Sequence, residues 1–177
     1  MDNAASPSVR VPAPPLTVIM QAIAAGLDVP GIFTIVAQQA AQVLAHDALA
    51  VLLRPDARDA AAAQEFAVAF CQPPIVKADR SWLFSDFSFG PALLANRPAV
   101  VPDFAATADQ YAGDRLLLEQ AGHAGLIVPI AAAPQVLGGL VLISAVPGLH
   151  RPEDVLLVEP LTGKAFVEVA VVAETRK

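Results

Sequence analysis

The sequence predicts a single α/β domain built around a buried sheet, and three observations carry that prediction. At 177 residues the chain fits one domain by the rough guide of ~150 residues each, and it is long enough to bury a core. From Ala124 to Leu149 no side chain is charged, yet Pro129, Pro134, Pro147 and the pair Gly138-Gly139 interrupt the run. A bilayer span needs ~18 or more apolar residues in one helix, and each proline here would remove a helical hydrogen bond. Read as strands, Gly125–Ile130 and Val136–Ser144 with a turn from Ala131 to Gln135, the same residues make an apolar hairpin in a sheet covered on both faces. Finally, Leu16, Ile19, Met20, Ile23 and Leu27 repeat at helical spacing.

The remaining elements follow in chain order. Residues 1–15 hold Pro7, Pro12, Pro14 and Pro15 among small residues and read as a mobile leader, leaving 16–177 as the domain. The first helix ends near Gly26. A second opens at Asp28-Val-Pro30, where proline suits the first turn, with Ile32, Phe33, Val36, Ala40, Val43 and Leu44 as its apolar face. Ala48–Leu53 is a short buried strand stopped by Arg54-Pro55, and the Ala-rich stretch from Asp56 to Gln64 is a loop or a short helical turn. Phe66, Val68 and Phe70 alternate with Ala67, Ala69 and Cys71, which predicts a strand with one bulky and one lean face. No clean period runs from 75 to 90. Gly90–Asn96 suggests one or two helical turns, Ala99–Val101 a strand, and Gln110–Ala121 a helix capped by Asp109. A long helix is expected from Pro152-Glu153-Asp154, where acidic residues suit the positive end of the helix dipole, with Pro160 bending it two turns in.

Composition excludes several function classes. The net charge is −6, the isoelectric point is near 4.9, and no cluster of Lys or Arg occurs, so phosphate neutralisation on nucleic acid is excluded as a binding principle. Mean hydropathy is +0.56, much of it alanine, which fills helices without large apolar patches. A single cysteine, Cys71, allows neither an intrachain disulfide nor a multi-cysteine zinc site. The first residues lack the basic-then-apolar order of a signal peptide, so the expected location is cytoplasmic, with no membrane partner.

Several short motifs then fall in a familiar order. Gly90-Pro-Ala-Leu-Leu-Ala-Asn-Arg-Pro-Ala-Val-Val-Pro-Asp103 precedes the hairpin. Gly125-Leu-Ile-Val-Pro-Ile130, a turn, and the Gly138, Leu140, Leu142, Ser144 series form the hairpin itself. Pro147-Gly-Leu-His-Arg-Pro-Glu-Asp154 and an apolar helix follow. Together, over roughly Leu16 to Val172, these pieces resemble a GAF domain. The resemblance implies a central, mostly antiparallel sheet of five or six strands. The first, second and last helices would cover one face, and the irregular 72–121 region would cap the other. It also implies a regulatory role, with a ligand pocket under the cap and a homodimer through the first and last helices that signals to an output domain or partner protein. Asp103 matches the family's loop-ordering aspartate, and His150 stands where the family often has Phe.

The aromatic residues point to the same cap. Of ten in the chain, eight lie between Phe66 and Tyr111, and Trp82, Phe84, Phe87 and Phe89 fall within eight positions. Aromatic walls with a few polar groups build small-molecule pockets; the same rings would equally make a solid secondary core. The candidate ligand-binding residues are Phe70, Trp82, Phe84, Phe87, Phe89, Tyr111 and His123. His123 is either a helix-end histidine or, in a haem-binding sensor, an axial ligand. Cys71 reads as a buried, inert thiol, having no cationic neighbour in sequence to stabilise a thiolate.

Three specialisations of the family are disfavoured by residues. One cysteine cannot supply both the nucleophile and the resolving thiol of a methionine sulfoxide reductase. The Asn-Lys-Phe-Asp-Glu motif of cyclic-nucleotide-binding members is missing, and Cys71-Gln72-Pro73 is not a bilin-attachment context. No nucleophile, base and orienting group assemble in sequence, and no metal site is proposed. The expected function is a non-catalytic sensory module for a small apolar or aromatic molecule. The alternatives are a ligand-free dimerisation or protein-interaction module, and a haem-based gas or redox sensor.

Overall fold

The uncharged run is strand and not helix, and Pro129 sits inside a strand opposite Gly139. In the computed structural model, which describes residues 15–54, 64–76, 81–132 and 135–163, that run forms β5 (Ala124–Ala132) and β6 (Gln135–Ser144). The two pair antiparallel along their whole length, from Ala124 opposite Ser144 to Ala132 opposite Gln135. Ahead of them come β1 (Ala48–Leu53), β2 (Glu65–Gln72), β3 (Ser81–Leu83) and β4 (Ala99–Val101). The six strands form one antiparallel sheet in the order β3-β2-β1-β6-β5-β4. Every residue of β1 is buried, as a central strand covered on both faces requires.

One face carries the terminal helices. Helix α1 (Pro15–Ala24) ends at Gly26, whose φ of 75° glycine tolerates without strain. Helix α2 (Val29–Val43) starts as the sequence predicts, with Pro30 in its first turn and Asp28 Oδ1 accepting from the Gly31 amide at 2.9 Å. Ile19, Phe33, Val36 and Ala40 pack with Leu49, Val51, Leu126, Val128, Leu140 and Leu142 into the helix-side core. The C-terminal segment closes the same core through Val155, Val158 and Leu161. Only the first part of the long kinked helix expected there, as far as Gly163, falls within the described residues. A 3-10 turn (Pro152–Asp154), helix α5 (Val155–Val158) and a second 3-10 turn (Glu159–Thr162) succeed one another. Where Pro160 cannot donate to the α ladder, the chain tightens into three-residue turns.

The other face carries the cap. It is made of a 3-10 turn (Phe84–Asp86), α3 (Gly90–Leu94), a 3-10 turn (Phe104–Ala106) and α4 (Ala112–Glu119). Helix α4 is shorter than predicted and Asp109 does not cap it; Tyr111 holds that position with no side-chain bond. The reason is the preceding turn, in which the Thr107 carbonyl accepts both the Gln110 and Tyr111 amides and holds Asp109 in an exposed loop. The leader, most of the Ala-rich stretch and the chain beyond Gly163 lie outside the described residues.

Candidate functional site

Five rings form the cap core over β1, β2 and β6. Phe66, Trp82, Phe84, Phe87 and Phe89 are each at most 6% exposed. Phe87 is the hub, with centroid distances of 5.6 Å to Phe66, 5.5 Å to Trp82 and 4.9 Å to Phe89, while Phe84 meets Phe66 at 5.0 Å. Tilted and edge-on contacts at these distances are favourable pairings for aromatic quadrupoles. The segment reaches this density because α4 gives way at Gly113. A methyl group there would sit 2.5 Å from the Phe87 ring, so any larger residue would push the hub out.

Between rings and sheet remains a cavity of about 20 Å³, lined by Phe66, Val68, Trp82, Phe87, Phe89 and other apolar groups, with no polar surface. That is room for about one water molecule and nothing to hold it. The rings therefore form a solid core in this state, the second of the two possibilities that the aromatic pattern left open.

The candidate residues divide accordingly. Trp82, Phe84, Phe87 and Phe89 come together. Phe70 does not: its ring packs at a tilt against Phe33, 5.8 Å between centroids, in the helix-side core. The cause is a β-bulge. Val51 pairs with Phe70 while the next residue, Leu52, pairs with Val68, leaving Ala69 extra. Past the bulge the faces exchange, so Cys71 packs against the cap core on the side shared by Phe66 and Val68, with its thiol donating to the Pro73 carbonyl at 3.2 Å. Tyr111 is partly exposed at the start of α4 and does not line the cavity. His123 does not line it either; its side chain is 37% exposed, with Nδ1 3.4 Å from Asp103 Oδ1. Asp103 orders its loop as the resemblance implied, its Oδ1 accepting from the Ala105 amide at 2.9 Å.

Two groups the sequence reading missed or underread stand out. Asp114, in the first turn of α4, is fully buried, and its carboxylate accepts from the Ser88 amide at 3.0 Å and from the Thr107 hydroxyl. In sequence it looks like any acidic residue at a helix start, and no signal separates it from Asp109. His150 is 4% exposed with neither ring nitrogen hydrogen-bonded. It fills a packing site, as its place in the motif suggested. Burial holds its pKa below the ordinary value, opposed by Asp154 and Asp47 and assisted by His46. Among the described residues no group of three or more His, Cys, Asp or Glu side chains is placed to hold a metal.

A six-stranded antiparallel sheet with helices on one face and a ring-filled cap on the other defines the class as an α/β domain with a core on each side of its sheet. A family model described as GAF domain matches residues 28–165, and the chain belongs to that family. Solved structures share the fold at low identity. The GAF domain of a two-component sensor histidine kinase from Bacillus halodurans is 14% identical with a TM-score of 0.66, over 82% of this chain and 95% of that one. The GAF domain of an Acinetobacter phosphoenolpyruvate-protein phosphotransferase is 17% identical with a TM-score of 0.67, over 92% and 94%. The chromophore-binding domain of the bacteriophytochrome RpBphP3 from R. palustris is 15% identical with a TM-score of 0.62, over 92% and 62%. No curated protein matches the chain. GAF domains are a sensory and regulatory family found in sensor kinases, and among the described residues no helix is long and apolar enough to cross a membrane.

Proposed function

We propose that this domain is a non-catalytic sensory module that takes a small apolar or aromatic molecule on its cap side and reports it through its terminal helices. The observation that carries the reading is the ring cluster: a small, wholly apolar space between the sheet and the rings of an irregular segment. In the state described the space holds no ligand-sized volume, so binding requires ring displacement. The mechanism is then a population shift, in which the ligand gains affinity only for the cap-open arrangement and stabilises it in proportion to that difference. The test pairs wild type with Phe87→Ala in a thermal-shift series of benzene, indole and larger aromatics. Truncating the hub ring should cost about 3–5 kcal/mol and leave a cavity of roughly one benzene ring. Wild type should gain melting temperature with at least one member of the series, and the variant with the smallest. If neither responds, the cap is a filled core and the ligand reading fails.

A second reading has a specific observation behind it. The closed packing, with a cavity of only about 20 Å³, suits a ligand-free interaction module that dimerises through α1 and the C-terminal segment. That module would keep a concentration-dependent oligomer indifferent to small aromatics. The haem reading draws no support from His123, which faces solvent beside Asp103.

A further inference from the structure

Three separate pieces of the cap meet at one carboxylate. Asp114 Oδ1 accepts the amide of Ser88, in the middle of the ring-bearing loop between Phe87 and Phe89. Asp114 Oδ2 accepts the hydroxyl of Thr107, which ends the 3-10 turn carrying Phe104. Asp114 itself belongs to α4, one residue from Gly113, against which Phe87 lies. The side chain is fully buried, and among the described residues no Lys, Arg or His pairs with it. Its nearest cationic neighbour in sequence, Arg115, turns its Nε to the Ala108 carbonyl instead. A carboxylate removed from water without a counter-ion is held by its hydrogen bonds alone, and such bonds are among the stronger ones in a protein. Burial of the rings is not directional, and their quadrupoles favour several tilted arrangements and not a single one.

We propose that Asp114 is the latch of the cap: its two hydrogen bonds hold the Phe87–Phe89 loop against α4, and releasing them opens the ring space while the helix-side core stays closed. This inference rests on the reading of the cap as the ligand side only for its biological meaning; the latch itself is a property of the fold. Asp114 is a positioning residue, acting on the rings through Ser88 and Thr107.

Hydrogen exchange on the full chain tests it, with Asp114→Asn and Thr107→Val each weakening one arm and Thr107→Ser as the conservative control. Amides of residues 84–94 and 104–112 should exchange about tenfold faster or more in the first two variants. Those of α2, β1 and β6 should keep their wild-type rates, and Thr107→Ser should restore wild-type behaviour in the cap. Unchanged cap exchange, or acceleration shared equally by both faces of the sheet, overturns the latch. Should Asp114→Asn fail to fold, the Thr107 pair decides alone by the same criteria. Adding indole to the variants separates the two claims. A loosened cap that still takes up no indole keeps the latch and removes the ligand reading. A cap that loosens and binds supports both.

Discussion

His150 shows what one buried side chain does to the pH response of the whole domain. The imidazole faces Asp154 on its own segment and His46 and Asp47 at the α2–β1 turn, and burial lowers its pKa from the ordinary 6.5. The unfolded chain therefore takes up a proton at a pH where the folded chain still refuses it. The His150 contribution to stability is fully present above about pH 7, where the imidazole is neutral in both states, and is lost as pH drops through the unfolded value. Melting temperatures between about pH 7.5 and 5.5 should decline in wild type, and His150→Phe should flatten the part of that slope due to residue 150. An equal slope in the variant would assign the acid sensitivity to other groups. The sequence revealed His150 as a packing residue because its motif neighbours set the site. It revealed the rings Trp82, Phe84, Phe87 and Phe89 by density alone. Asp114 stayed hidden, since its role depends on Ser88, 26 positions away, and no periodicity links the two.

At the scale of elements, most strands and helices were legible because each buries one face or both, and burial writes a period into sequence. What escaped was where elements end. Helix α4 closes with Ala121 at a φ of 62°, the Gly122 amide returning to the Leu117 carbonyl at 2.8 Å. That is a left-handed helix stop usually made by glycine, occupied here by a residue with a Cβ. Ala121→Gly should relieve the strain and raise stability by about 0.5–1 kcal/mol, read as a higher denaturant midpoint at constant slope. A lower midpoint would mean that the unfolded-state entropy of glycine outweighs the relief. The C-terminal segment teaches the complementary lesson. Acidic residues and an apolar pattern announced a helix there, and at Pro160 the α-helix Val155–Val158 gives way to the 3-10 turn Glu159–Thr162.

At the scale of the molecule, the described residues form two cores separated by a sheet one residue thick. Leu52, Phe66 and Val141 face the rings, whereas Leu49, Val51 and Leu140 face the helices, so neighbours on one strand serve opposite cores. This layering was legible because the hairpin is apolar on both faces; the closed state of the cap was not, since ring density is the same for a pocket wall and a plug. On the helix side Met20 is 55% exposed and Leu156 71%, which leaves apolar surface on the two elements assigned to self-association. If that assignment holds, Met20→Glu with Leu156→Glu should shift the sedimentation coefficient from dimer to monomer and leave the melting curve within about 0.5 kcal/mol of wild type. A wild-type protein that sediments as a monomer at high concentration would remove the interface.

The bulge at Ala69 carries a consequence for how this gene tolerates insertion and deletion. Because Ala69 is the supernumerary residue, Val68 and Phe70 already point to opposite faces as adjacent residues of a regular strand would. Losing the Ala69 codon should leave Phe66 and Val68 among the rings, Phe70 on Phe33, and the reading of both faces intact. Losing the Ala67 codon instead puts Phe66 out of phase with every partner it has. Two in-frame deletions of the same amino acid, two positions apart, should thus part company in a solubility screen, the first surviving and the second not.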